Sequence, residues 1–329
     1  MMSYINKNNL MPERSRLFCP IERTNEEMYF SLVDYRNNYF TSSNPDKIIE
    51  FYNGFDNREQ LIQWMRERPK GVANVHEVEG DKDIIVVIPT ADFNGRYARE
   101  CRENIFKGLH IVFVESGGRG DFYFNYAHNC NVGIRKAMEY NPKWVVVSND
   151  DMTKIDKVEV LVGQLMKLDN KEYDVIFTKP SEYHSIPASV SEHSLIGKII
   201  VHLIRRGNFN VIYRKLQRKY DITFSQQKRV SLIFKNKISF ILTSDFAIFS
   251  SNWVSLNLQN IFDEQFINAY EDLDISIRLK DSRALVIDYK IGDLFGSSLG
   301  NGEARKLRSI SSKLLLDDKI RKTYIKTKC

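Results

Sequence analysis

Asn149-Asp150-Asp151 follows a β-branched run, Lys143-Trp-Val-Val-Val-Ser148, that reads as a buried strand. Carboxylates gathered at a strand end, with no basic neighbour in sequence to neutralise them, make a hard oxygen site for a divalent cation. Magnesium or manganese held by one or two carboxylates completes its shell with substrate phosphates, so the site asks for a nucleotide. Glu115 ends another β-branched run, His110 to Glu115, where an acidic residue can accept hydrogen bonds from ribose hydroxyls. Far downstream lies Tyr270-Glu-Asp-Leu-Asp-Ile-Ser-Ile-Arg-Leu279, in which Leu273 and Ile277 share a helical face and the acidic residues fall in the first turn. Acids in that position complement the helix dipole and cap free amides. A carboxyl held there in a cleft, its pKa raised by burial, is equally suited to act as general base toward a hydroxyl.

These residues need a scaffold, and the pattern from Asp83 onward supplies one by alternating short β-branched runs with helical segments. Strands are expected at Asp83 to Thr90, His110 to Glu115, Lys143 to Ser148, Tyr173 to Thr178 and Ala284 to Asp288. Helices are expected at Tyr97 to Leu109, Asn129 to Tyr140 and Met152 to Leu168, with another starting near Glu271. The fold class is therefore α/β, a parallel or mostly parallel sheet flanked by helices, whose ligands bind beyond the carboxyl ends of the strands. Three such ends are polar: Pro89-Thr90-Ala91-Asp92-Phe93-Asn94, Glu115-Ser116-Gly117-Gly118 and Ser148 to Asp151. No GxGxxG fingerprint is present and no GxxxxGK[ST] loop, so neither a nicotinamide cofactor nor P-loop phosphoryl transfer is indicated. A GxGTR-like loop after the first strand is also missing, which argues against a sugar-1-phosphate nucleotidyltransferase.

The chain has 329 residues, 43% hydrophobic and 27% charged, the composition of a soluble globular protein. Its four cysteines lie far apart and suggest neither a zinc site nor a disulfide scaffold. His76, His110, His128, His184, His193 and His202 show no ligand spacing, and surface or strand-end roles are expected for them. The start of the chain has no apolar signal-like stretch, and Leu195 to Ile204 falls well short of the ~20 residues of a spanning helix, so a cytoplasmic location is expected. Residues 1–82 read as an accessory region with one helix from Asn57 to Glu67. Residues 83–302 carry the α/β pattern, and residues 303–329 read as a basic helix. Within the α/β region, 181–237 breaks the alternation as a basic insertion or lid with helix candidates around Leu195 to Arg206 and Val211 to Tyr220. Positive charge is concentrated: 192–237 holds 11 Lys and Arg against 2 Asp and Glu, and 303–329 holds 9 against 3, leaving a net acidic body. Such segments suit local contact with phosphate head groups at an anionic membrane surface better than nucleic-acid binding, and no nucleic-acid partner is expected.

In order and spacing, Asp83 to Thr90, His110 to Gly118, Ala127 to Ala137, Trp144 to Met152, and Phe262-Asp263-Glu264 through Glu271-Asp272 to Leu279 resemble the family 2 glycosyltransferases of GT-A fold. The resemblance implies an inverting transferase that moves a sugar from a nucleoside diphosphate sugar to an acceptor hydroxyl on a glycan, a lipid-linked molecule or a protein. It implies that Pro89 and Thr90 touch base and ribose, that Glu115 holds the nucleoside, and that Asn131 and Gly133 line the nucleotide pocket. Asn149-Asp150-Asp151 falls on the family's DxD motif: Asp151 would bind magnesium or manganese, while Asn149 or Asp150 would face the ribose or sugar. Asp272 falls on the catalytic base, and Glu271 on a residue that positions acceptor or donor. The chain departs from the pattern at Asn149, at Cys130 where many relatives have a basic residue, and in the absence of a late His near Gly292 to Gly300. Arg205, Arg206 or Lys228 of the insertion would be the substitutes for that His. A non-catalytic sugar-nucleotide-binding protein of the same fold is the competing expectation.

Overall fold

The strand that opens the sheet pattern, Asp81–Thr90 (β2), alternates its buried side chains: Ile84, Val86 and Ile88 enter one apolar layer, Ile85 and Val87 the other. A strand buried on both faces belongs inside a sheet covered on both sides, and β2 is the third strand of seven. The computed structural model describes residues 44–116, 123–178, 211–222, 245–259, 261–279, 282–294 and 303–322. In chain order the elements are helices Pro45–Asn53 (α1) and Arg58–Glu67 (α2), strand Asn74–Val78 (β1), β2, helix Arg96–Glu100 (α3), strand Leu109–Glu115 (β3), helix Tyr126–Met138 (α4), and strands Trp144–Ser148 (β4) and Met152–Lys154 (β5). Then come helix Val158–Leu165 (α5), strand Val175–Thr178 (β6), helix Val211–Lys219 (α6), strand Phe246–Ser250 (β7), helices Ser251–Asn257 (α7) and Glu271–Arg278 (α8), strands Ala284–Ile287 (β8) and Ile291–Asp293 (β9), and helix Glu303–Ile320 (α9).

The sheet order is β1-β3-β2-β4-β7-β6-β8. Strands β3, β2 and β4 run parallel, as do β6 and β8, whereas β7 is antiparallel to both its neighbours and β1 is antiparallel to β3. This is a mixed α/β sheet flanked by helices, consistent with the GT-A architecture. The reversal of β7 matters for the site, because it places the amino end of β7 beside the carboxyl end of β4, with Ser148 opposite Phe246.

Several local expectations are corrected. Met152 to Lys154 is not helical: it pairs with Ile291–Asp293 as a separate two-stranded ribbon, and the helix starts only at Val158. The helix expected from Tyr97 breaks into one α turn and a π-helical turn, Cys101–Ile105, before β3. Asn125 accepts the amide of His128 and so starts α4 earlier than the apolar pattern suggests. The insertion helix candidate Leu195 to Arg206 lies outside the described residues, as do Arg205, Arg206 and Lys228.

The boundary expected at residue 82 is crossed, since β1 forms the edge of the main sheet. Its Asn-Val-His-Glu-Val sequence is polar because it is an edge strand, half exposed. Nor is the carboxy-terminal helix a solvated appendage. Leu307, Ile310, Leu314, Leu315 and Leu316 pack with Ile48, Phe51, Tyr52 and Leu61 of α1 and α2, and with Leu273 and Ile277 of α8. The hydroxyl of Tyr52 donates to the carbonyl of Leu307 and accepts from the amide of Ser311. The helix start that carries Glu271 and Asp272 thus rests on chain from both ends of the sequence. Among the described residues no helix is long and apolar enough to cross a membrane.

Candidate active site

The parallel strands deliver their polar ends to one edge. Thr90 lies opposite Glu115 in the β2–β3 register, and the amide of Ser116 donates to the carbonyl of Thr90 at 3.2 Å. Thr90 also donates its hydroxyl to Asp150 Oδ2 at 2.7 Å, which ties the end of β2 to the loop after β4. Asp150 is deeply set, and burial pushes its pKa up to about 6: the Thr90 hydrogen bond opposes that rise and the charge of Asp151 adds to it. Asp151 is 6% exposed. Cys101, at the start of the π-helical turn, lies beneath them with its thiol directed at the Asp150 carbonyl, and burial drives its pKa far above a reactive range.

Across the reversed strand stands the second group. The carbonyl of Asp245, just before β7, accepts the amide of Asn149 at 2.8 Å. The buried Asp245 carboxylate acts electrostatically on Asp272 and Tyr126. Glu271 and Asp272 open α8 behind Tyr270, whose φ of 69° is left-handed, a conformation that costs a bulky residue energy and is held only where surrounding structure fixes it. Two residues earlier Asn268, also left-handed, ties this approach to the start of α4, accepting the Tyr126 amide at 2.8 Å and donating to the Phe124 carbonyl. Glu271 is 5% exposed, and its Oε2 has no hydrogen-bond partner among the described residues. Burial raises the pKa of both carboxyls, with Asp272 adding to the rise on Glu271 and Asp245 to that on Asp272. Two adjacent carboxyls that favour the proton thus stand within electrostatic reach of Tyr126 and the buried Cys130.

Asp274, the third acid of α8, is different: Arg278 lies 3.4 Å from one oxygen and Lys319 of α9 contacts the other. Ion-paired to both cations, it ties α8 to α9.

Two sequence-predicted pocket residues take other roles. Asn131 is buried; its amide donates to the Phe262 carbonyl and to Glu264 Oε1, and its oxygen accepts the Phe262 amide. It clamps the 261–264 segment to α4. Gly133 faces the sheet, where a Cβ would sit 2.3 Å from Val87 Cγ1, so it permits close packing of α4 on β2 and β3. Pro89 is buried in β2 opposite Val114, leaving Thr90 as the part of that pair at the edge.

Three histidines expected at surface or strand-end positions each meet a carboxylate: His76 with Glu115, His110 with Glu77, and His128 with Glu264. Asp245 has no signal in the sequence, since its place beside Asn149 follows from β7 running backwards; Ser116, in the polar end after β3, has a buried hydroxyl with no partner among the described residues. Among the described residues no group of three or more His, Cys, Asp or Glu is arranged to hold a metal ion.

No family model matches the chain, and no curated protein matches it. Among solved structures it is similar to the crystal structure of S. aureus TarS 1-349, at 13% identity over 73% of this chain and 72% of that one, with a TM-score of 0.34.

Proposed function

We propose that the protein is an inverting glycosyltransferase that moves a sugar from a nucleoside diphosphate sugar to an acceptor hydroxyl. The observation that supports this most is the placement, at the same end of the central strands, of the Thr90-anchored Asp150–Asp151 pair and of the buried Glu271 with half-buried Asp272, linked through Asp245. The two pairs suit the two charge changes of glycosyl transfer: negative charge grows on the departing diphosphate, and a proton must leave the attacking hydroxyl.

The donor set at Asp150 and Asp151 fits a hard divalent cation. Two carboxylates suffice where phosphates complete the shell, and a full protein cage is not needed. Asp151 would hold magnesium or manganese with Asp150 beside it, and the cation when bound supplies positive charge to the diphosphate. Glu115 accepts hydrogen bonds from the nucleoside, and Thr90 fixes Asp150 toward ribose or sugar. Asp272 takes the proton of the acceptor hydroxyl, aided by a pKa raised toward the working pH. Glu271 orients the hydroxyl that Asp272 deprotonates. Attack on the face opposite the leaving group inverts the anomeric centre.

The acceptor is a glycan, lipid-linked molecule or protein hydroxyl, and the basic stretches at 192–237 and 303–329 favour an approach to an anionic membrane surface. Sedimentation with anionic but not neutral vesicles, weakened by salt, is expected. The deciding experiment for the activity measures nucleoside diphosphate release from a panel of nucleotide sugars with manganese and with chelator. Release that needs the cation supports the proposal, and no release from any donor in the panel counts against it.

A further inference from the structure

Glu115 is gripped from a direction the parallel strands do not supply. His76 lies on the edge strand β1, and its Nε2 is 2.9 Å from Glu115 Oε2. The imidazole stacks on the ring of Phe93, with centroids 4.4 Å apart and planes 9° from parallel. Phe93 in turn donates its backbone amide to Glu115 Oε1 at 2.9 Å, while Arg102 donates to the Phe93 carbonyl at 2.7 Å and lies over the same ring. One edge strand, the loop after β2 and the π-helical turn therefore converge on a single carboxylate. The Phe93 amide, followed by His76, holds the Glu115 pKa below the ordinary range, so the group stands ready as an acceptor.

The acceptor arithmetic is specific. A carboxylate has about four lone-pair positions, and His76 and Phe93 occupy one on each oxygen. One remains on each oxygen, and the side chain is 26% exposed, within reach of a ligand. Two adjacent acceptors match two adjacent hydroxyl donors, the arrangement of a ribose 2′,3′-diol. Without His76 the carboxylate would be held at one oxygen alone, and binding would have to fix its torsions at an entropic cost.

We propose that His76 is a positioning residue that presets the Glu115 carboxylate and the Phe93 loop to receive the ribose diol of a nucleoside diphosphate. This rests on the nucleotide-sugar reading of the site. The test uses the full chain and four probes, UDP, GDP, ADP and CDP, titrated calorimetrically in manganese. The diphosphate that wild type binds is then compared with its 2′,3′-dideoxy counterpart on wild type, His76→Ala and His76→Gln.

For the ribonucleotide, His76→Ala is expected to weaken binding about tenfold, the scale of one hydrogen bond to a charged group. His76→Gln, which keeps an N–H donor, is expected to recover part of that loss. For the dideoxy compound wild type and His76→Ala are expected to bind alike. Unchanged ribonucleotide affinity in His76→Ala, or an equal loss with both compounds, overturns the positioning role while leaving the nucleotide reading intact. If wild type binds none of the four diphosphates, the nucleotide reading fails and the role of His76 falls with it.

Discussion

Lys319, near the end of the carboxy-terminal helix, holds the carboxylate of Asp274 in the first turn of α8. The same ammonium bonds Asp263 Oδ2 at 2.8 Å. One lysine thereby fastens α9 both to α8 and to the 261–264 segment. The carboxyls of Glu271 and Asp272 favour the proton, whereas Asp274 is ion-paired with Lys319 and Arg278.

Lys319→Met is therefore expected to be a stability variant. Removing one partner of a buried ion pair leaves uncompensated carboxylates and costs about 3–5 kcal/mol when burial is complete. The Lys319 side chain is 33% exposed, so solvent screening reduces that to about 2 kcal/mol. Urea unfolding followed by circular dichroism measures it. A midpoint equal to wild type would mean that the clamp contributes nothing.

Asp272→Asn is expected to lower kcat by roughly a hundredfold or more while sparing donor binding, because the base acts on the acceptor in the transition state. Asp274→Asn is expected instead to lose stability. Steady-state kinetics on both variants, with donor affinity measured separately, distinguishes these roles. Near-normal turnover in Asp272→Asn would shift the base to Glu271, since Asp274 is already paired.

The parallel half of the sheet was legible because its strands are buried on both faces and end at punctuating residues: Pro89 to Asn94 after β2, Asn149 to Asp151 after β4. Those same strand ends carry Thr90, Glu115 and Asp150. Edge and reversed strands were harder to read. β1 is polar and half exposed, so nothing in Asn74 to Val78 distinguishes it from a loop, and the pairing that brings His76 to Glu115 has no local signal. β7 is a short apolar run, Phe246 to Ser250, whose sequence carries no direction; its antiparallel course, which brings Asp245 beside Asn149, depends on long-range pairing with β4. Met152 to Lys154 has no strand period of its own and is extended only because β9 comes to meet it. Asn131 and Gly133 were located correctly on a helix, but spacing cannot say whether an amide faces a ligand or a neighbouring backbone.

Asp151→Ala is expected to abolish cation-dependent binding of nucleoside diphosphate and to leave the fold intact. Two adjacent strand-end carboxylates repel a diphosphate unless positive charge lies between them. Calorimetric titration of the diphosphate with manganese, then with chelator, reads this directly. Equal affinity with and without the cation in wild type would remove the metal from the proposal.

Glu271 also makes a prediction about pH and stability. Burial, then the charge of Asp272, raises its pKa above the unfolded value of about 4.3. A carboxyl with a raised folded pKa keeps its proton longer in the native state than in the unfolded one. Native protein binds more protons across that window, and stability falls as pH rises from the unfolded value through the folded one. Glu115 and Glu264, whose pKa values are lowered, contribute in the opposite sense, so the pH profile of wild type alone mixes the two. The difference between wild type and Glu271→Gln isolates the one group. At pH 3, well below both the folded and the unfolded value, Glu271 is protonated in either state and the two proteins are expected to melt together. At pH 8 the Gln variant is expected to melt higher by roughly 2–4 °C for each kcal/mol of relieved strain. Differential scanning calorimetry at the two pH values measures the gap, and a Gln variant that melts lower at pH 8 would show that Arg305 or another cation holds the carboxylate charged. The more stable variant is also expected to transfer sugar more slowly, because the carboxyl that burdens the fold is the one that orients the acceptor.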